Sequence, residues 1–383
     1  MTFLTRTAWN LFVSFQKNRL NTHRPAEVPD IADIHRVLAV SSTAIGDTLF
    51  TLPAIRALKK HIPHAQIDLL VRDRFLPLFS DIPEISDLIP YKGAYRNTFA
   101  LLKHIRQKRY DICLVFHDSD PCPVQAAWLA GIPFILRIGQ KDAHVADMLS
   151  ARMPYTGREH AIEQRLELVR KITGASLEQE DDRKMMLPVS GTEATNYMIR
   201  ICRERGTHCA DKLKIGLQPG ASGEYKRWPL RNFAGLALKL LKYSEQTVIF
   251  IMGSEKERRI GKRLEEAIIQ AGGAAERVID MTGKVEIGKL ARFIKGLDLV
   301  ITNDTGPLHI AIATGTPTIS LFVPTNVHGT GPVQDLHMHK VIKKEKPCHD
   351  CVEKYCEKPH CMSLITVDDV FRAVVASPPF EQK

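Results

Sequence analysis

The chain has 383 residues, 44% of them apolar, enough for two cored domains rather than one. Lys and Arg outnumber Asp and Glu by 53 to 43, a formal charge of +10, which favours an anionic partner such as a phosphate-rich substrate, an anionic membrane or a nucleic acid. Aromatics at 7%, with no basic–aromatic interleaving, argue against a single-strand nucleic-acid surface.

Residues 1–35 read as a basic amphipathic segment and its linker. Residues 1–24 carry Arg6, Lys17, Arg19 and Arg24 and no acidic residue. On a helix, Leu4, Ala8, Leu11, Phe12 and Phe15 share one face, with Trp9 and Val13 beside it. Such a helix suits either a membrane interface or the surface of its own domain. No apolar run approaches the ~20 residues that span a bilayer. No apolar stretch followed by a small-residue cleavage site opens the chain, so a cytoplasmic location is expected.

Strand–helix alternation follows. Strands are expected over 37–40, 67–71, 85–91, 112–116 and 134–138, with helices over 47–61, 98–109 and 159–174. A second series places strands over 214–218, 248–252, 277–280, 297–302 and 318–322, with helices over 232–241, 255–272 and 286–296. Alternation of this kind builds parallel sheets covered on both faces. The expected architecture is α/β, two Rossmann-like doubly wound domains facing a cleft. They span 36–190 and 212–383, the second ending in a Cys-rich segment, with a polar connector at 191–211.

Five segments have the composition of sites. Ser41-Ser42-Thr43-Ala44-Ile45-Gly46-Asp47 directly follows the first strand, where ligands of open α/β sheets bind. Asp47 there can take a proton from a hydroxyl or N-cap the next helix. Gln218-Pro219-Gly220-Ala221-Ser222-Gly223, followed by Lys226-Arg227-Trp228-Pro229, is either an anion nest with a point charge or a plain Gly/Pro turn. Asn303-Asp304-Thr305-Gly306-Pro307-Leu308-His309 opens an apolar helix, and a helix N-terminus favours phosphate. Asp118-Ser119-Asp120 is either a divalent-metal pair or a polar turn at a strand end. Cys348, Cys351, Cys356 and Cys361 lie within fourteen residues, as a structural zinc site, as locally packed thiols or as a redox-labile pair; the other four cysteines stand singly. No Gly-x-Gly-x-x-Gly, Walker A lysine, Gly-x-Ser-x-Gly elbow or His-Glu-x-x-His occurs.

Taken together and in order, these segments resemble glycosyltransferase family nine, the ADP-heptose:lipopolysaccharide heptosyltransferases. The resemblance rests on Val37-Leu38-Ala39-Val40 through Gly46-Asp47, Thr51-Leu52-Pro53-Ala54-Ile55-Arg56-Ala57-Leu58, Pro219-Gly220-Ala221 with Lys226-Arg227-Trp228-Pro229, and Asn303 to His309. Gly315-Thr316-Pro317-Thr318, Phe322-Val323-Pro324-Thr325 and Cys361-Met362 extend it, and it covers about residues 36–375. It implies a glycosyltransferase-B fold and inverting, metal-independent transfer of a heptose from ADP-heptose to a lipid A–linked inner core, with no cofactor and no nucleic acid. Asp47 matches the catalytic base. Ser222, Lys226, Glu257, Asp304, Thr305, Gly306 and His309 match the donor side, although Glu255 is easily confused with Glu257. Arg137, Lys141, Arg152 and Arg158 are candidates for gripping acceptor anions. The N-terminal helix departs from typical members. As a reader of an anionic membrane it would keep the enzyme peripheral on the inner face of the cytoplasmic membrane. Other readings are a different nucleotide-sugar enzyme on this architecture, such as an epimerase, and a non-catalytic nucleotide-sugar-binding protein.

Overall fold

The computed structural model describes residues 2–19, 27–93, 95–139, 144–154, 157–348, 356, 360–378 and 380. The chain forms two compact units, Met1–Met185 and Met186–Lys383. The first contains α1 (Thr2–Lys17), β1 (Arg36–Ser41), α2 (Ile45–Leu49), α3 (Leu52–His61), β2 (Gln66–Arg72), α4 (Leu76–Phe79), β3 (Asp87–Tyr91), α5 (Thr98–Lys108), β4 (Ile112–His117), α6 (Cys122–Leu129), β5 (Phe134–Ile138), β6 (Ala151–Met153) and α7 (Ala161–Thr173). Its sheet is parallel throughout, in the order β3-β2-β1-β4-β5-β6. Val37 to Val40 and Ile112 to Phe116 are buried, as central parallel strands covered on both faces must be. The chain winds outward from β1 through β2 and β3, then crosses to β4 and winds the other way. The carboxyl ends of β1 and β4 therefore flank the point where the winding reverses, the usual ligand crevice of such sheets.

The second unit contains α8 (Gly191–Glu204), β7 (Leu213–Gln218), α9 (Leu230–Tyr243), β8 (Thr247–Ile251), α10 (Arg258–Gln270), β9 (Val278–Asp280), α11 (Ile287–Lys295), β10 (Leu299–Asn303), α12 (Gly306–Thr314), β11 (Thr318–Phe322), α13 (Val327–Thr330), β12 (His339–Lys343) and α14 (Val367–Val375). Its sheet, also parallel, runs β12-β11-β10-β7-β8-β9. This is the same winding repeated, with β7 and β10 at the reversal. Both units thus have the Rossmann-like, doubly wound α/β form expected from the alternation.

The differences from expectation have local causes. The expected polar connector is α8, which packs on α11 inside the second unit and pairs Glu193 with Arg292 at 3.1 Å. Cys202 and Cys209, read as single cysteines, form a disulfide that ties the last turn of this helix to the segment after it. The single helix expected over 47–61 is two, because Pro53 stands in the first turn of the second and proline lacks the N–H that would continue the preceding ladder; Thr51, at the N-cap position, makes no side-chain cap. α6 is buried along its whole length and so carries no amphipathic period to detect.

α1 is not a detached segment. Trp9 is 0% exposed and Val13 is buried in the first unit's core. The Trp9 indole N–H donates to Gln125 of α6 at 2.7 Å, and Lys17 pairs with Asp147. The face expected to be apolar and shared is divided. Phe12 packs partly against the core, whereas Ala8, Leu11 and Phe15 face outward. The Leu4 side chain lies outside the described residues.

Candidate functional site

In the first unit, β1 ends at Ser41 and the chain turns through Ser42, Thr43 and Ala44 into α2. The N-cap of α2 is Ala44, not Asp47. Asp47 instead sits in the first turn, with its side chain 28% exposed. The Thr43 hydroxyl donates to Asp47 Oδ2 at 2.7 Å and lies 2.9 Å from His117 Nδ1 at the end of β4. With its one proton given to Asp47, the Thr43 oxygen accepts from His117 Nδ1–H, so Nε2 carries the free lone pair. That Nε2 is 3.8 Å from Asp47 Oδ1.

The fourth member is Arg165, delivered by α7. This helix starts where the His160 ring accepts the Ile162 N–H, which places Arg165 one turn in. Arg165 is buried. It donates through Nη1 to the Ala161 carbonyl at 2.7 Å and through Nε to the Thr51 hydroxyl at 3.2 Å. Thr51 in turn donates to the Asp47 carbonyl. Arg165 Nη2 then reaches within 3.6 Å of Asp47 Oδ1.

Burial by itself pushes a carboxyl group up. Asp47 is nonetheless held below its ordinary value, because His117, Arg165, the Thr43 hydroxyl and the Ala44 N–H all act on it. Burial also holds the His117 ring below its ordinary value, against the opposite pull of Asp47. At neutral pH the imidazole is therefore uncharged, and the standing cation beside Asp47 is Arg165. The result is an ionised, oriented and partly exposed carboxylate at the crevice.

The crevice of the second unit is built from the ends of β7 and β10. Asn303, the last residue of β10, uses its amide N–H groups on the carbonyls of Gln218, Pro219 and Gly220 at 3.2–3.3 Å. Its amide oxygen accepts the Trp228 N–H. Arg227 donates to the Ala221 carbonyl. The carbonyls of four successive loop residues are thus bound by protein donors. Lys226 pairs with Asp304 at 2.9 Å, and His309 Nε2 stands 3.9 Å from the other oxygen of Asp304. Thr305 and Gly306 open α12, whose N-terminus has no side-chain cap.

Glu257 is the glutamate beside this loop. Its Oε2 accepts the backbone N–H and the hydroxyl of Ser254, each at 2.7 Å. Its Oε1 lies 1.7 Å from where a Cβ on Gly220 would stand. Only glycine at 220 admits this carboxylate. Glu255 pairs with the exposed Arg258 instead. Ser222 is exposed on the same loop. Loop 218–223, Glu257 and the segment 303–309 are therefore brought together.

Arg137 and Arg152 are neighbours across β5 and β6. Arg137 is nearly buried and pairs with Asp118 at 2.9 Å, and Arg152 and Arg158 are exposed. Lys141 lies outside the described residues. Asp120 is taken up by the Tyr91 hydroxyl and the Cys122 N–H, and no metal-binding group of three such side chains occurs among the described residues. Cys348 is exposed, and Cys356 and Cys361 are half-buried. Cys351 lies outside the described residues.

Sequence reasoning missed Thr43, His117, Arg165 and Asn303 as organisers. Thr43 lay four residues before Asp47 and His117 next to Asp118, so both stood in or beside segments already singled out. Arg165 gave no local signal, since its partner Thr51 is 114 residues away in sequence.

The family model for glycosyltransferase family 9 (heptosyltransferase) matches residues 98–362. Lipooligosaccharide heptosyltransferase 2 of Haemophilus influenzae is 24% identical over 315 residues, covering 78% of this chain and 86% of that protein. Lipopolysaccharide heptosyltransferase 2 of Escherichia coli is 25% identical, covering 87% and 94%. The solved structure of E. coli ADP-heptose LPS heptosyltransferase II has a TM-score of 0.72 to this chain at 23% identity, covering 89% of this chain and 98% of that chain. At that identity the likeness concerns the fold.

Proposed function

The chain belongs to glycosyltransferase family 9, and on that premise we propose that it transfers a heptose from ADP-heptose to the inner core of a lipid A–linked lipopolysaccharide, inverting the anomeric centre without a metal ion. The observation that carries this reading is Asp47, an ionised carboxylate with Thr43 and Arg165 fixing its position at the crevice.

In the proposed step the acceptor hydroxyl attacks the anomeric carbon on the face opposite the diphosphate. The new C–O bond forms as the bond to the phosphate oxygen breaks, and ADP leaves with the electron pair. Asp47 takes the hydroxyl proton and later returns it to solvent. One displacement gives inversion.

The second unit supplies the donor side. Lys226 and the uncapped N-terminus of α12 at Thr305 and Gly306 stabilise charge developing on the diphosphate. The backbone carbonyls of residues 218–221 are engaged by protein donors, which leaves the backbone N–H groups of the loop to face an anion. Glu257 is assigned to the ribose hydroxyls, and Ser222, Asp304 and His309 to the surroundings of the diphosphate and sugar. Arg137, Arg152 and Arg158, with Lys141, are assigned to acceptor anions. Arg137 must then share its guanidinium with Asp118. The lipid-linked acceptor places the enzyme at the inner face of the cytoplasmic membrane as a peripheral protein. Among the described residues no helix is long and apolar enough to cross a membrane.

The test is Asp47→Asn with ADP-heptose and a detergent-dispersed truncated core. Turnover should fall by ~10²–10⁴ while donor affinity, read by calorimetry, stays within a few-fold. Wild-type turnover should persist in EDTA, with the product anomer inverted by NMR. Near-normal turnover of the variant sinks the base assignment, and a chelator-sensitive reaction sinks the metal-free step.

A further inference from the structure

α1 and α5 both pack on α6 and meet at an aromatic seam. Phe99 of α5 meets Trp9 edge-on at 5.3 Å and Phe12 at 5.4 Å. Trp9 and Val13 hold α1 to the core, so its outward stripe is fixed in place rather than tethered. That stripe is apolar. Leu11 is 67% exposed, Phe15 56% and Phe99 54%, with Ala8 in line with them. Contiguous exposed apolar side chains of this size mark a contact surface rather than ordinary solvent-facing residues.

The charge on the two helices has one sign, and the nearby carboxylate, Asp147, is already paired with Lys17. Neither α1 nor α5 contains an acidic residue, although the chain has 43. Arg6, Arg19, Arg96 and Lys103 are all exposed here. Arg6 lies over the Tyr95 ring and Arg19 over the Phe15 ring, so two cations are held at the rim by aromatic faces. Phe99 and Lys103 are one turn apart on α5 and share its outer face.

We infer that the joined outer faces of α1 and α5, with Leu11, Phe15 and Phe99 entering the acyl boundary and Arg6, Arg19, Arg96 and Lys103 at the headgroups, form a preassembled docking surface for an anionic lipid bilayer. The inference rests on the proposed lipid-linked acceptor and adds the surface that meets its membrane. A rigid patch loses little conformational freedom on binding, unlike a helix that must fold at the interface. Apolar insertion and anionic attraction act together, so binding is reversible and salt-dependent.

The test uses the full-length chain in sedimentation with vesicles of phosphatidylcholine alone or mixed with phosphatidylglycerol. Wild type should bind the mixed vesicles and be released by high salt. The triple variant Leu11→Ser/Phe15→Ser/Phe99→Ser should lose at least about tenfold in affinity, and so should Arg6→Glu/Lys103→Glu. Leu336→Ser, which removes a comparably exposed apolar side chain from the second unit, should bind as wild type. The triple variant should still unfold cooperatively, with a Tm lowered only by the lost Phe99 contacts to Trp9 and Phe12. The double variant Leu11→Ser/Phe15→Ser, which leaves that seam intact, should lose vesicle binding at wild-type Tm. Both should retain transfer to a detergent-dispersed acceptor. Wild type that ignores the mixed vesicles overturns the inference, as does a triple variant that still binds them. So does a wild-type dimer that the triple variant dissociates, because the face would then be covered by a second copy. Loss of transfer to the dispersed acceptor by wild type counts against the proposed reaction alone and leaves the vesicle result to stand by itself.

Discussion

Replacing Arg165 with Met should move the acid limb of kcat/KM upward. Met has similar bulk and leaves α7 its apolar contacts, while removing the one standing cation beside the proposed base. At the 3.6 Å separation, the pair interaction is about 1 kcal/mol in a water-like medium and about 5 kcal/mol at an effective dielectric near 20. Arg165 is buried, but Asp47 is partly solvated, so screening keeps the value in the lower part of that range. At about 1.4 kcal/mol per tenfold change in protonation ratio, the limb should rise by roughly one to two pH units. The direction follows from the charges. Asp47 is held below its ordinary value in the wild type, so the base stays ionised until the pH falls through that lowered value. Without Arg165 it takes up a proton at higher pH. His117, uncharged at neutral pH, gains a proton on the way down to the acid limb and there also favours the ionised carboxylate, so it offsets part of the loss and holds the rise to the lower end of that range. The Thr43 and Ala44 hydrogen bonds remain in both proteins. Arg165→Lys keeps the charge and should return the limb most of the way. The assay is kcat/KM against pH with one acceptor, so that the acceptor's own ionisations cancel in the comparison. Coincident acid limbs for wild type and the Met variant would refute the role given to Arg165, whatever the loss in rate at the plateau.

Two further variants separate the donor loop from the N-terminal helix. Gly220→Ala should weaken ADP binding by at least about tenfold while leaving the fold intact, because the added Cβ would stand 1.7 Å from Glu257 Oε1 and must push that carboxylate away; unchanged calorimetric affinity would remove Glu257 from the donor site. Trp9→Ala should cost about 3–5 kcal/mol of stability, seen by calorimetry as a fall on the order of 10 °C in the first unit's Tm, since it empties a buried site and strips Gln125 of its donor. An unchanged transition would mean that α1 is not docked.

The parts legible in sequence were those with a short period or a short span. The apolar runs ending in Val40 and Phe116, and the loops just after β1, β7 and β10, follow from rules that act over a few residues. The glutamates show where this stops. Glu255 and Glu257 are equivalent candidates by spacing, and only the Ser254 capping box, with a glycine opposite, selects Glu257. Arg165 shows it more strongly. It looks like an ordinary charge on an amphipathic helix, and its function depends on α7 crossing to Thr51 and Asp47. β12 reads His339-Lys340-Val341-Ile342-Lys343, too polar for a buried parallel strand, because it lies at a sheet edge. In α1 the hydrophobic period was visible, but not its division: Trp9 and Val13 went to the core, and Leu11 and Phe15 were left outside.

The two units use one winding for opposite electrostatic ends. At the β1/β4 reversal, an arginine set behind a carboxylate keeps that carboxylate ionised and so ready to accept a proton. At the β7/β10 reversal, a nearly buried carboxylate, Asp304, sits behind a lysine. An uncompensated charge of that kind would be costly, so Asp304 holds Lys226 at the loop with no donor bound. A diphosphate arriving there must share Lys226 with Asp304, and the shared lysine pays the donor less in the ground state than a free one would. As the bond to the anomeric carbon breaks, negative charge on the leaving phosphate rises and draws Lys226 more strongly away from Asp304. The contribution of Lys226 is then larger in the transition state than in the ground state, which is the condition for an interaction to raise kcat rather than only tighten binding. On this argument Asp304→Asn should tighten ADP binding and lower kcat together. A variant that bound ADP more weakly, or that gained in both, would show that Asp304 does not restrain Lys226.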